Sequence, residues 1–248
     1  MGADVVDREV ETPLVVGILG DGHEPLVLRP VTPADEPFLR DLYASSRAGE
    51  LAVVPWSDEE RRAFCDSQFA LQDDYYRRVH LDARFDVIEQ GGVAVGRLLV
   101  ATRTDEIELL DIALVPGARG GGLGTGLVRW LQHRVAVAGV PLVLSVDPGN
   151  PAERLYERLG FRLRAEGELH RVLVWAAEAV GAGALERFLL LAVADAGLRA
   201  LLAGADDDDS LAARTVEAGL ALGLVFTPED VVGALRARRR AWIERSVR

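Results

Sequence analysis

The chain of 248 residues contains no lysine; all 28 of its basic residues are arginine. A P-loop is therefore excluded, because that motif ends in Gly-Lys-Ser or Gly-Lys-Thr. The protein also cannot acetylate lysine side chains of its own. A GC-rich coding bias is the plain reading of the preference for arginine. There is one cysteine, Cys65. It can form no internal disulfide and no cysteine-based metal site, and it reads as a small core residue in a reducing compartment. His23, His80, His133 and His170 lie far apart, without the His-x-x-x-His spacing of a helical metal site, so no metal is expected. No apolar run reaches the ~18 residues of a membrane helix. The stretch from Met1 to Glu11 is acidic and lacks the basic-then-apolar order of a signal peptide. A soluble, cytoplasmic protein is expected, with no membrane partner.

The formal net charge is −11. Nucleic acid is thereby disfavoured as a partner, since phosphate contacts need a basic surface. The acid is concentrated: residues 1–180 carry 19 arginines against 29 acidic residues, whereas residues 181–248 carry 9 against 10. An acidic first part suits a cationic amine acceptor, although acidic surfaces are common among cytosolic proteins.

The order of elements follows from periodicity and punctuation. Leu14–Leu19 has the composition of an edge strand, weakened by Gly17 and Gly20; residues 1–24 are treated as an extension. Pro25–Val31 alternates as a strand does. Thr32-Pro33-Ala34-Asp35 is a helix start, and that helix is expected to run to about Ser46. Ser57 with Glu60 forms a capping box for a second helix, reaching Tyr76 or beyond. Arg84–Glu89, Val93–Thr102 and Glu106–Val115 read as strands, with a hairpin turn at Gly91-Gly92. Leu123, Leu127, Leu131 and Val135 have helical spacing; Pro141–Val146 is a short buried strand. A short helix over Pro151–Leu159 and strands at Phe161–Ala165 and Glu168–Trp175 follow. The sum is an α/β domain over residues 25–180. Gly181-Ala182-Gly183 reads as a linker to a helical domain over 181–248. There Leu185, Phe188, Leu189 and Ala192 form one stripe, continued by Leu198 and Leu202. Asp209 or Ser210 caps one helix, and Thr227-Pro228-Glu229-Asp230 opens the last.

The chemistry concentrates after the strand ending near Val115. Arg119-Gly120-Gly121-Gly122-Leu123-Gly124-Thr125 joins that strand to a helix. A glycine loop at a helix N-terminus offers free N–H groups and partial positive charge, which suits a pyrophosphate. The dinucleotide fingerprint Gly-x-Gly-x-x-Gly does not fit in any register, and the loop follows about the fourth strand rather than the first.

The run from Leu110 to Leu131, with Arg119-x-x-Gly122-x-Gly124 inside it, resembles the acyl-CoA signature of the GNAT superfamily of N-acetyltransferases. A second signature, Asn150-Pro-Ala-Glu-Arg-Leu-Tyr-Glu-Arg-Leu-Gly-Phe161, resembles that family too. The resemblance covers residues 25–178. It implies an α/β fold with a mixed, mostly antiparallel sheet and helices on both faces, here followed by a small all-helical domain. It implies acetyl-CoA, or another acyl-CoA, as co-substrate. Ile112 and Leu114 then pair through their backbone with pantetheine, and the Ile112 N–H polarises the thioester carbonyl. Arg119, Gly120, Gly121, Gly122, Leu123, Gly124 and Thr125 hold the pyrophosphate side of the cofactor, and Asn150 also contacts it.

By the same resemblance Tyr156 is the acid that protonates the departing CoA sulfur; a phenol is protonated at neutral pH. Its alternative is core packing, on a stripe with Ala152 and Leu155. Glu108 matches the catalytic glutamate of some relatives. On a regular strand it shares a face with Leu110, Ile112 and Leu114, where apolar neighbours favour proton uptake, and Asp111 lies on the other face. Its alternative is a solvated charge at a strand end. The acceptor region implied by the fold contains Glu50, Trp56, Gln68, Gln72, Tyr75, Tyr76 and His80, each of which also suits a surface or packing role.

Residues 184–230 resemble the leader domain of Nif11-type peptide precursors, through Leu185-Glu-Arg-Phe188, Asp195, Leu198, Glu217-Ala-Gly219 and Gly223 to Asp230. No Gly-Gly cleavage site or core peptide follows it in this chain. The expected function is acyl transfer from acyl-CoA to a primary amine, small-molecule or peptide, by direct attack in a ternary complex. The alternatives are a peptide-tailoring acyltransferase with a longer donor, recruited through the helical tail, and a non-catalytic acyl-CoA-binding or peptide-binding module. A tail that merely caps the sheet or stabilises a homodimer is the plainer reading of residues 181–248.

Overall fold

The cap chemistry at Thr32 and Ser57 starts the first two helices where the sequence predicts. A computed structural model of the chain describes residues 12–16 and 25–246. The chain forms two compact units, one ending at Val128 and the other beginning with the helical turn at Arg129.

The first unit is a five-stranded antiparallel sheet with two helices. Its strands are β1 (Leu14–Val16), β2 (Leu26–Pro30), β3 (Ala83–Gln90), β4 (Val93–Thr102) and β5 (Ile107–Leu114), paired in that order. Residues 14–16 therefore do add an edge strand; Gly17 and Gly20 lie outside the described residues. Between β2 and β3 stand α1 (Glu36–Leu51) and α2 (Asp58–Val79). Thr32 opens a single 3-10 turn, Pro33–Asp35, and α1 continues from it. The helix runs past Ser46 to Leu51, and Ser45 and Ser46 donate their hydroxyls to the carbonyls of Leu42 and Tyr43 inside it. Ser57 caps α2 with Glu60 reciprocating. Leu39, Tyr43, Cys65 and Phe69 bury together between the two helices. Cys65 is thus the core residue expected, and burial pushes its thiol pKa up.

One ion pair anchors the start of α1. Arg29 gives both amino groups to the Asp35 carboxylate, at 2.6 and 2.8 Å, and Thr32 adds its N–H and hydroxyl at 2.8 Å. The Arg29 hydrogen bond holds the Asp35 carboxyl well below the usual range. A lowered folded-state pKa stabilises above the unfolded value and is lost as pH falls through the folded one. Asp35→Asn is therefore expected to cost about 1–3 kcal/mol at neutral pH. The gap from the parent protein should narrow below about pH 4. Chemical denaturation across that window measures it.

The second unit begins within α3 (Leu123–Ala138), whose earlier residues belong to the first. It continues with β6 (Leu142–Val146), α4 (Glu153–Arg158), β7 (Arg162–Glu166) and β8 (Arg171–Trp175). β8 lies between β6 and β7, antiparallel to both. Gly160, at φ +82°, turns the chain out of α4.

The expected linker at 181–183 is not a loop. Ala179–Val180 form β9, and α5 (Ala182–Ala194) begins at Ala182 with Gly181 as its cap at φ +77°. After α6 (Ala196–Ala203) and α7 (Asp208–Ala221), Leu224–Val225 form β10, paired parallel to β9. The last helix, α8 (Pro228–Ser246), opens on the predicted Thr227 and Asp230 exchange. The cap of α7 is Asp207 rather than Asp209 or Ser210; Ser210 is its reciprocating partner at the third helical position. The predicted stripe is buried: Leu185, Phe188 and Ala192 pack with Val216, Leu224 and Phe226, and Leu189, Leu198 and Leu202 border them. Within the second unit β9 and β10 form a separate two-stranded ladder, and Arg129 of α3 pairs with Glu217 of α7 at 2.7 Å.

No helix among the described residues is long and apolar enough to cross a membrane. Among the same residues no group of three or more His, Cys, Asp or Glu is placed to hold a metal ion.

Candidate active site

Strand β5 organises the first unit's candidate site. Its register against β4 slips between Leu99 and Val100, which leaves Leu110 without a partner in a bulge. Beyond the bulge the two faces exchange. Glu108 stands opposite Ala101 and Asp111 opposite Leu99, so both carboxylates share one face. Leu109 and Ile112, opposite Val100 and Leu98, share the other. The expectation that Glu108 lies with Ile112 and Leu114, and Asp111 across from it, is therefore corrected. That expectation assumed unbroken alternation, and one extra residue reverses it.

The setting of Glu108 is polar rather than apolar. Its Oε2 accepts from Arg103 Nη1 at 2.7 Å, and Arg103 also reaches Asp82 at 3.2 Å. Along the same face the buried Arg97 donates from Nε to Asp111 at 2.6 Å and from Nη2 to Gln72 at 2.7 Å. Tyr76 of α2 reaches the carbonyl of the bulged Leu110 at 3.4 Å. Burial, then the Asp111 charge, pushes its phenol up to about 12. Tyr75, Tyr76 and His80 pack ring against ring at 5.9–6.3 Å. Arg97 was not anticipated; the available signal was a lone charge within the apolar run of β4.

Of the other acceptor-region residues, Trp56 packs on Phe64 at 5.2 Å, Glu50 pairs with Arg47 at 2.8 Å, and Gln68 is half-buried on α2. Tyr75 is exposed, on one stripe of α2 with Phe64, Leu71 and Val79, also exposed. A separate cleft of about 430 Å³, lined in part by Thr32, Leu39, Phe69 and Arg77, contains none of the predicted site residues.

At its far end β5 stays paired with β4 through alternate residues. The N–H of Val115 bonds to the Val95 carbonyl at 2.9 Å. Alternate residues address β4, so Ile112 and Leu114 turn their N–H and C=O groups to the opposite edge. A 3-10 turn over Pro116–Ala118 follows, and Arg119 Nε donates back to the Leu114 carbonyl at 2.8 Å. The chain then enters the glycine loop. Gly120 and Gly122 adopt φ of +78° and +87°, a region that other residues resist. A Cβ at 120, 121 or 122 would meet no atom within 4 Å, so the space over the loop is open. The first bond of α3 runs from the Gly126 N–H to Gly122 at 2.9 Å. The N–H groups of Leu123, Gly124 and Thr125 thus open the helix with no carbonyl a turn behind them within it.

The family profile described as the acetyltransferase (GNAT) family matches residues 39–161. Over this segment, just under half of the chain, the protein is similar to that family. Among solved structures, the PaiA N-acetyltransferase of Thermoplasma acidophilum in complex with coenzyme A is 17% identical, with 60% of this chain and 97% of that one covered and a TM-score of 0.47. An acetyltransferase of Thermus thermophilus is 23% identical, at 60% and 96% coverage and a TM-score of 0.45. RimJ of Mycobacterium smegmatis, in complex with CoA-disulfide, is 18% identical, at 66% and 85% coverage and a TM-score of 0.45. No curated protein matches the chain.

Two predicted site residues lie in the second unit. Asn150 is exposed before α4, and its Oδ1 accepts from the Ala152 N–H at 2.9 Å, which shapes the turn into the helix. Tyr156 is only 6% exposed, and its ring meets Phe161 edge-on at 5.5 Å. The packing contact expected of Tyr156 is thus present.

Proposed function

We propose that the protein is a CoA-dependent N-acyltransferase that moves an acyl group, acetyl first among them, to a primary amine. The carrying observation is the open glycine loop at the N-terminus of α3, which follows β5 directly and is stapled to its end by Arg119. The loop N–H groups from Gly120 to Thr125 hold the pyrophosphate. The backbone of Ile112 and Leu114 pairs with pantetheine, and the Ile112 N–H stabilises negative charge on the thioester oxygen.

The neutral amine attacks the thioester carbonyl, the C–S bond breaks, and the thiolate takes a proton from the Tyr156 phenol. The ammonium formed by attack gives its proton to Glu108, directly or through water. Proximity supplies much of the rate. A peptide amine is the second reading of the acceptor, favoured by the exposed apolar stripe of α2 beside Tyr76. Faster turnover of peptides than of small amines at equal concentration supports it.

Calorimetric titration tests the donor. Acetyl-CoA is expected to bind with micromolar affinity, as is common for enzyme substrates. Preference for a long-chain acyl-CoA would move the reading to peptide lipidation. No heat from either would overturn the assignment of the loop to these donors.

A further inference from the structure

We propose that Gln132 is a positioning residue for Tyr156, holding the end of the short helix that carries the phenol. The inference rests on the reading of Tyr156 as the acid. Gln132 lies on α3 and is 1% exposed, beside the buried Leu131, Val135 and Ala136. A buried amide in such a place is costly unless it is bonded. Its Nε2 donates to the Leu159 carbonyl at 2.7 Å. Its Oε1 is buried with no partner in the protein. An amide kept there at that cost is retained for its one bond.

The bond falls where α4 needs support. With six residues, α4 is too short to be stable by itself. Its start is held by Asn150 on the Ala152 N–H, and by Glu153, which accepts from Arg171 at 2.9 Å and from the Gly149 N–H at 3.1 Å. At its end the Leu159 N–H returns to Leu155 and Tyr156 at 3.0 and 3.1 Å. The carbonyl of Leu159 has passed beyond the helix and finds no donor within it. Gln132 supplies that donor from another helix. The Tyr156 carbonyl accepts from the Phe161 N–H at 3.0 Å, so the turn that Gln132 fixes also carries the ring that packs on Tyr156. Loosening this end moves the phenol, and a displacement of about 1 Å at a reacting group can cost up to a hundredfold in rate.

A double-mutant cycle on the full chain, with acetyl-CoA and an amine that it acylates, tests this. Gln132→Met is expected to lower kcat about tenfold and leave acetyl-CoA affinity unchanged. Added to Tyr156→Phe, it should cost nothing further, because the group it positions is gone. Costs that multiply, or an unchanged kcat in Gln132→Met, would overturn the proposal. Full turnover in Tyr156→Phe alone would instead remove the acid reading on which it rests. Should Gln132→Met fail to fold, Gln132→Glu serves. Its carboxyl donates to Leu159 only while protonated. Its kcat relative to the parent should fall as pH rises and the buried group ionises, with acetyl-CoA affinity constant. A flat ratio would overturn the proposal as well.

Discussion

Tyr156→Phe is expected to lower kcat about a hundredfold while acetyl-CoA binds as before. Phenylalanine keeps the ring that meets Phe161 at 5.5 Å, so the buried packing of α4 survives and only the hydroxyl is lost. The leaving group is a thiolate, and a thiol of pKa about 8.5 lies below a phenol of about 10. Proton transfer is therefore mildly uphill between the free groups, so the role rests on the phenol being held against the sulfur rather than on its acidity. Removing a positioned general acid typically costs about 10²–10⁴ in rate. A hundredfold loss is about 2.7 kcal/mol of transition-state stabilisation. The pattern to look for is a fall in kcat and kcat/KM together, which marks an interaction made only in the transition state. Steady-state kinetics with calorimetric binding in parallel separates this from a folding defect. Unchanged kcat would return Tyr156 to a packing role, the alternative its buried position also satisfies.

Gly96→Ala is expected to disturb the end of β5 in the first unit. Gly96 lies on β4 opposite Leu114. A Cβ there would overlap the Ala113 carbonyl oxygen and stand 2.8 Å from Leu114 Cδ2 and 3.1 Å from Ile88 Cδ1. The first of these atoms is backbone and cannot turn away, so β5 itself must move at Ala113–Leu114. Overpacking of this kind costs about 1–3 kcal/mol. The displaced segment is the one whose outward backbone is assigned to pantetheine, so acetyl-CoA affinity should fall by more than about tenfold, or 1.4 kcal/mol. Thermal denaturation reads the first effect and titration the second. A destabilised variant with parent affinity would show that Ile112 and Leu114 do not carry the cofactor.

The two predictions differ in what made them visible. Tyr156 and the glycine loop could be found by reading along the chain, since each belongs to a short contiguous motif. The constraint at Gly96 could not. Its reason lies on another strand, in the register that places Leu114 opposite it.

The same division runs through the molecule. Thr32, Ser57 and Thr227 announced their helices because a cap and its partner sit three residues apart, and that bond needs no distant chain. Gly91, Gly120 and Gly122 marked turns for an equally local reason, a positive φ that side chains resist. The face of Glu108 escaped the sequence because alternation along a strand is local only until a bulge intervenes. The slip at Leu110 exists in the pairing of β4 with β5, and one inserted residue moved Asp111 to the side of Glu108. β9 and β10 escaped notice because two residues show no period; they are strands only through each other. Gln132 resembles any polar residue on an amphipathic helix until the Leu159 carbonyl is seen at the other end of its amide. Sequence by itself thus determined most of the elements, the caps at Thr32, Ser57 and Thr227 and the glycine loop, whose causes act within a turn of chain. The tertiary structure alone decided which carboxylates share a face and what holds α4 in place, because those depend on bonds between residues far apart in the chain.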